Sequence, residues 1–581
     1  MNLESLCNEL LLDIFEYLPA VDLLRAFYNL NFRLNNLILI HFQSFDLKFQ
    51  SISQYDFNLI CREYLPTMVD YISSLSLSND DDTPHEINCF LEHNLTISQF
   101  INLKSLSIRD LSSDKIMNKF MLEWKYLENL THLTLVGCYF RFDRINAQQL
   151  INSIWSLSKL VYCYLNINVN EDNIFIPTVM SKSLKYVFIW GTECSQNEIN
   201  ALIKKTPHLE KFSILLNVNS NDNNNYVKYP FLSITKLKLS LSRIDENKII
   251  KFLQNMPNLY ELIIDISCFN EDHTNRISYG NQWEKIIHHY LPNLQIFRFR
   301  MKFNLIDEKN REQRIDELID SFRSSFWLEE HKWFVRCHWN PNNTFSPIYL
   351  YTLPYSFKHF RFNYSMKFKS TTPNDNNYMK YNYVDELDYD TSAVEQIVSS
   401  PIQFFNLQNL YVEFPINNHF WSFVPKLDRL TSMVIFMHYY YNIESQLQSL
   451  VNHTPCLYSL TFFSSSFMQM MPPLNLRNKS IRRLILRVNN YYFNDKDCME
   501  ISHSLLSSQC EILSIPIQNH QISLIILNNM TKLHTLIIAC ENDKNRENDD
   551  EIIIWLKDHL PSTCIISRDQ IFKSDIRLWI R

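Results

Sequence analysis

The amino-acid sequence predicts an α/β fold in which three short helices precede an uneven solenoid, a horseshoe of stacked helix-and-strand units with parallel strands. Three observations predict it. An apolar pattern of the form LxxLxL, with any aliphatic or aromatic residue at the apolar places, recurs throughout the chain past residue 70. Several occurrences share one approach: an apolar helical stretch, then Pro, then one residue, then the Leu. The first forty residues instead carry apolar residues at helical spacing, interrupted at Pro19.

In that leading segment Leu10, Leu11, Ile14, Phe15 and Leu18 share a helical stripe, with Asn8 as N-cap and Glu9 in the first turn. Pro19 stops this helix. Asp22 is placed to cap a second, carrying Leu23, Leu24, Ala26, Phe27 and Leu30, and Arg33 to Ile40 form a third with Leu34, Leu37 and Ile38 apolar. Three short helices in about 40 residues cannot bury so much apolar surface among themselves. Part of it faces a partner, or shields the first strand beyond the helices.

These residues resemble the F-box family, whose usual pattern is Leu-Pro-x-Glu-Leu, Ile-Phe-x-x-Leu-Pro and Asp-Leu-Leu-Arg. Here the corresponding stretches are Leu6-Cys7-Asn8-Glu9-Leu10, Ile14-Phe15-Glu16-Tyr17-Leu18-Pro19 and Asp22-Leu23-Leu24-Arg25. The resemblance implies that Leu6, Leu10, Ile14, Phe15, Leu18, Pro19 and Leu23 dock on the Skp adaptor of a cullin-RING ubiquitin ligase. The sequence departs from the family at Cys7, where Pro is usual, and at Leu34, where Trp is frequent.

The repeating units begin at Ile72, Leu103, Leu130, Leu160, Leu184, Leu209, Ile234, Leu259, Leu294, Phe357, Leu407, Leu430, Leu457, Ile481, Cys510 and Leu533. Most spacings lie between about 23 and 31 residues, near the range of leucine-rich repeats. Leu130 to Phe140 is the clearest unit, fitting LxxLxLxxCxL with Phe last, and Asn168, Asn217 and Asn489 take the place of Cys138 in others. The shared approach appears as Met256-Pro257-Asn258-Leu259, Leu291-Pro292-Asn293-Leu294, Thr206-Pro207-His208-Leu209 and Thr454-Pro455-Cys456-Leu457. Proline there ends a helix and an extended strand follows. One such unit has no closed core; stacked neighbours bury a continuous one, with Leu259, Leu262 and Ile264 pointing inward.

Nearly the whole chain thus resembles F-box proteins with leucine-rich repeats. Its division is residues 1–45 as the F-box, 46–315 as a first block of repeats and 401–581 as a second. Residues 316–400 are either two degenerate repeats or a substrate-binding insertion rich in aromatic residues. Within them, alternation of Lys332, Phe334 and Arg336 against Trp333, Val335 and Cys337 predicts a strand, and the Asn, Asp and Tyr of 371–390 predict an exposed loop.

Composition excludes several functions. The 581 residues include three glycines, Gly137, Gly191 and Gly280, where average usage would give roughly 40. Phosphate cradles need several glycines within a few residues, so a P-loop or dinucleotide fingerprint is ruled out. A net charge of −7 and a pI near 6.2 argue against nucleic acid. Thirteen scattered cysteines without a CxxC pair read as reduced thiols of an intracellular protein, cytoplasmic or nuclear, and no apolar run is long enough to span a membrane. His331, Cys337 and His338 lack a fourth metal ligand at a recognised spacing. Asp80-Asp81-Asp82 and Asn548-Asp549-Asp550-Glu551 lack the alternation and Gly of a calcium loop. The expected function is therefore a non-catalytic adaptor without cofactor: the F-box joins Skp and a cullin, and exposed strand positions such as Thr134, Lys238 and Tyr260 hold a protein substrate. The alternative is a leucine-rich scaffold without a ligase role.

Overall fold

The computed structural model describes residues 3–49, 52–169, 176–216, 230–241, 246–267, 279–304, 311–341, 343, 346–363, 366–390, 402–416, 419–437, 443–464, 471–488, 491–541, 550–569 and 572–580. They form two compact units. The first comprises Met1–Leu215, His534–Ile537 and Asn548–Arg581, and the second Leu216–Leu533 and Ile538–Glu547.

The first unit opens with α1 (Asn8–Glu16), α2 (Ala20–Phe27) and α3 (Phe32–Phe42). Cys7, not Asn8, is the N-cap of α1, because the Asn8 side chain is engaged elsewhere, accepting from Arg33 Nε at 2.8 Å. Pro19 starts α2 rather than merely ending α1, so Asp22 falls inside its first turn. Asn31 caps α3, its side chain accepting from Leu34 N at 2.9 Å. Leu11, Phe15, Leu23, Leu24, Leu34, Leu37, Ile38 and Phe42 are buried.

Strands then follow as β1 (Asp46–Lys48), β2 (Ser74–Ser78), β3 (Ser105–Arg109), β4 (His132–Phe140), β5 (Tyr162–Val169), β6 (Tyr186–Cys194) and β7 (Lys211–Leu216). From β1 to β6 each pairs in parallel with the next in sequence. Helices such as Asp114–Trp124, Arg144–Trp155 and Gln196–Lys204 lie between strands, capped by Ser113, Asp143 and Ser195. The unit is completed by an antiparallel pair near the end of the chain, Ile565–Arg568 and Asp575–Trp579.

In the second unit β8 (Lys236–Leu241), β9 (Glu261–Ser267) and β10 (Ile296–Phe303) continue the parallel pattern. It breaks where the sequence array is interrupted. Strands β11 (Val335–Trp339), β12 (Ile348–Thr352) and β14 (Lys367–Ser370) join antiparallel, in the order β10-β12-β11-β14, so the parallel pattern is interrupted within 316–400. Parallel order resumes with β13 (His359–Asn363), β15 (Glu386–Asp390), β16 (Asn409–Phe414), β17 (Ser432–Met437), β18 (Ser459–Ser464), β19 (Arg483–Val488) and β20 (Ile512–Ile517).

Every one of the sixteen expected unit starts stands two residues ahead of a strand and is buried. The four Pro-containing joins are turns closed by the Leu amide on the residue before Pro: Leu209 N to Thr206 O, Leu259 N to Met256 O, Leu294 N to Leu291 O and Leu457 N to Thr454 O. Each helix ends two to four residues before its Pro, so the ring's fixed φ shapes the turn rather than the helix end. A second device repeats with it. One carbonyl accepts both the amide just ahead of the next strand and the strand's first amide, as Thr235 O does from Tyr260 N and Glu261 N, Tyr260 O from Gln295 N and Ile296 N, and Thr431 O from Tyr458 N and Ser459 N.

Two expectations are corrected and one is met. Residues 371–390 are an exposed loop only in part: residues 373–377 are exposed, but Thr371 is buried and Val384-x-x-Leu387-x-Tyr389 is an unrecognised unit forming β15, its apolar places hidden among Asn, Asp and Tyr. The strand expected from the alternation around Lys332 to Cys337 is present as β11, and all five of its residues are buried. Asn168 is exposed and builds no buried ladder, whereas Cys138 is buried with Sγ directed at Ile108 O, 3.8 Å away. Asn217 and Asn489 lie outside the described residues.

Candidate functional site

The N-terminal helices turn one apolar stripe inward and another outward. Phe15 packs on Phe27 and His41, with ring centroids 5.4 and 6.2 Å apart, and Leu11 and Leu23 are likewise fully buried. Of the seven residues expected on a docking surface, Phe15 and Leu23 therefore hold the helices together and offer no surface. Leu6, Leu10, Ile14, Leu18 and Pro19 reach solvent to differing degrees. Leu10, Ile14 and Tyr17 recur at helical spacing, and Leu10 is 49% and Tyr17 88% exposed. Leu30 and Phe32, at 63% and 81%, flank the start of α3, and the sequence reading missed Tyr17 and Phe32 because apolar type alone does not say which stripe faces out. Arg33 fixes the chain ahead of α1, donating to the carbonyls of Glu4 and Leu6 at 2.7 and 2.5 Å. The far end of α3 is tied to the repeats, since Phe42 O accepts from Ser73 N and Gln43 O from Ser73 Oγ. The three helices therefore also cover the start of the array.

The second candidate is the open face of the strands in the second unit. Alternate residues of each strand are buried, and the intervening ones line up across the sheet through the parallel register. Arg361 stands beside Asp388, Tyr411 and Val434 in one row; Asn363 pairs with Asp390 in the next, and Glu413, Phe436 and Phe463 stand in register from β16 to β18. A groove of about 460 Å³ opens among them, lined by four carboxylates, those of Glu386, Asp388, Asp390 and Glu413, with His359 and Arg361. His359 Nε2 lies 3.1 Å from Asp388. Burial raises the Tyr411 phenol pKa, and Glu386 and Asp388 raise it further.

The adjoining β10 face is basic. Arg300 makes a bidentate pair with Asp265 at 2.9 and 2.6 Å and donates to Tyr355 Oη and His359 O. The Lys302 ammonium is held below its ordinary pKa by burial and by Arg361 and Arg300. Of the strand positions expected to contact a partner, Thr134 and Lys238 do lie on open faces. Tyr260 stands one residue before β9, out of phase with the outward Glu261, Ile263 and Asp265, and its carbonyl serves the joint to β10.

The residues weighed for chemistry are structural. Cys337 and His338 are buried neighbours on β11; burial, then Arg336, lowers the His338 pKa to about 3, so its ring stays neutral. His331 stacks on Trp333 with centroids 4.1 Å apart. His289 Nδ1 bonds the Lys285 carbonyl at 2.9 Å, a helix-end role. Among the described residues no group of three or more His, Cys, Asp or Glu is placed to hold a metal ion. Burial pushes the thiols of Cys61, Cys89, Cys138, Cys163, Cys194, Cys337, Cys498, Cys510 and Cys564 up, opposite to what a nucleophile needs. No described helix is long and apolar enough to cross a membrane.

No protein-family model matches the chain, and no curated protein does. Among solved structures, similarity is found to an internalin of Listeria monocytogenes at 12% identity, covering 78% of this chain and 90% of that one, with a TM-score of 0.22. The functional reading rests on the chain's own residues.

Proposed function

We propose that this chain is a non-catalytic scaffold that binds a protein along its strand face. The observation that carries this reading is the open face of β13 to β18, where charged, aromatic and aliphatic side chains stand in register on a rigid backbone. Side chains held on paired strands lose little further freedom when a partner docks, which favours recognition over area that must first be ordered. The residues considered as metal ligands are compatible with this reading: Cys337 and His338 are buried and His331 is stacked on Trp333.

A second function is favoured by the N-terminal helices: joining the scaffold to the Skp adaptor, and through it to a cullin ligase. Its support is the outward stripe of Leu10, Ile14 and Tyr17 with Leu30 and Phe32, too much exposed apolar side chain for a segment whose only task is to cover a sheet edge. Purified full-length chain, mixed with recombinant Skp adaptor, is expected to form a complex that Leu10→Asp and Ile14→Asp abolish without changing the thermal melt. Absence of a complex with the unsubstituted chain would remove the ligase role and leave the scaffold.

A further inference from the structure

The open face of the second unit is not uniform. Its β15 side carries Glu386, Asp388 and Asp390, joined on β16 by Glu413, whereas two and three strands along it becomes apolar at Val434, Phe436 and Phe463. The Phe436 and Phe463 rings meet edge to face with centroids 5.2 Å apart, and both remain partly exposed. Tyr411 lies between the halves, its phenol sensing the Glu386 and Asp388 charges. Within the groove Arg361 and His359 are outnumbered by the four carboxylates.

Resting on the scaffold reading, we infer that the occupant of this face is an extended segment of a partner protein, carrying a Lys or Arg over the carboxylates and an aromatic or large aliphatic residue over the phenylalanines. The spacing follows from strand geometry. From β15 to the midpoint of β17 and β18 is two and a half strand separations, about 12 Å. Residues i and i+4 of an extended chain point to the same side about 13 Å apart, so the cation and the apolar residue stand four positions apart. Charge complementarity sets the orientation, because reversal would place the cation on the apolar pair and the apolar side chain among carboxylates.

The test is fluorescence anisotropy of the full chain with labelled, otherwise Gly-Ser-rich decapeptides: one with Arg at i and Phe at i+4, one with Glu in place of Arg, and one with Ser in place of Phe. The Arg-Phe peptide is expected to bind at least about ten-fold tighter than either control, and to weaken as ionic strength rises. Glu386→Lys with Asp388→Lys should transfer preference to the Glu-Phe peptide, and Phe436→Ser should weaken both; Asp388→Asn provides a milder variant should the double reversal lower the melting temperature. Equal binding of the Arg and Glu peptides, still weakened by Phe436→Ser, overturns the cationic assignment while leaving the face a protein-binding surface. Binding of no peptide by any form overturns this inference, and complexes that form elsewhere on the chain would then carry the scaffold reading.

Discussion

Asp110 shows how much a single position in the array is asked to do. Its backbone is left-handed, φ 52°, and its carboxyl presses against Gly137, where a Cβ would stand 2.2 Å from Oδ1. Gly137 is itself left-handed, at a register shift between β4 and β5, so glycine is required there both for its φ and for space. Packing strips water from the Asp110 carboxyl; with Asp80 adding to this and Arg577 opposing it, the pKa is raised to about 6. A carboxyl with a raised folded-state pKa binds more protons folded than unfolded. Its ionisation therefore destabilises the fold above pH 6, and that penalty is relieved as pH falls from about 6 towards the unfolded value near 4. Asp110→Asn keeps a side chain that tolerates left-handed backbone and removes the charge. The variant is expected to be more stable than the parent at pH 7.5, with the difference shrinking by pH 4.5, as read by urea denaturation at both. A variant less stable at pH 7.5 would show that the Arg577 attraction outweighs desolvation. None of this was legible in the sequence, where Gly137 was simply one of three glycines.

At the scale of the element, the joint between helix and strand is what the sequence displayed best. Pro in the turn and the buried Leu after it are both local features, so the same four-residue pattern announces the same geometry wherever it falls. Leu259 closes such a turn, is fully buried and precedes Leu262 and Ile264 on the covered face. Leu259→Asp places a carboxylate among those side chains and should cost about 4 kcal/mol or more. Thermal unfolding followed by circular dichroism should shift sharply downward, and an unchanged melt would contradict the stacked core. The elements that escaped recognition failed for physical reasons. Strand β15 keeps its inward Leu387 and Tyr389, but its outward Glu386, Asp388 and Asp390 gave the stretch the composition of a loop. The split of α1 into an inward Leu11 and Phe15 and an outward Leu10 and Ile14 depends on where α2 and α3 pack, which apolar spacing within one helix does not encode.

At the scale of the molecule, the first unit draws on both ends of the chain, an arrangement no local pattern could reveal. Trp579 is fully buried, donates from Nε1 to Ile52 O at 3.2 Å and packs on Phe57 with centroids 5.6 Å apart. Arg577 reaches the Asn79 carbonyl, 498 positions earlier, and pairs with Asp81 at 2.9 Å and with buried Asp569 at 2.5 Å. Contacts so distant in sequence close a very long loop, so they form only if the burial they bring exceeds that entropy. The indole supplies most of it, since truncating a buried Trp costs about 3–5 kcal/mol, whereas partly buried ion pairs chiefly fix the register of the docked strand. Trp579→Ala should therefore release the last strand and speed amide exchange in β2 and in residues 52–68 of the first unit. Exchange in β9 and β17 of the second unit should stay as slow as in the parent. Faster exchange throughout both units would mean that they unfold as one cooperative body, and unchanged exchange at residues 52–68 would mean that the terminal strand contributes nothing to the unit it joins.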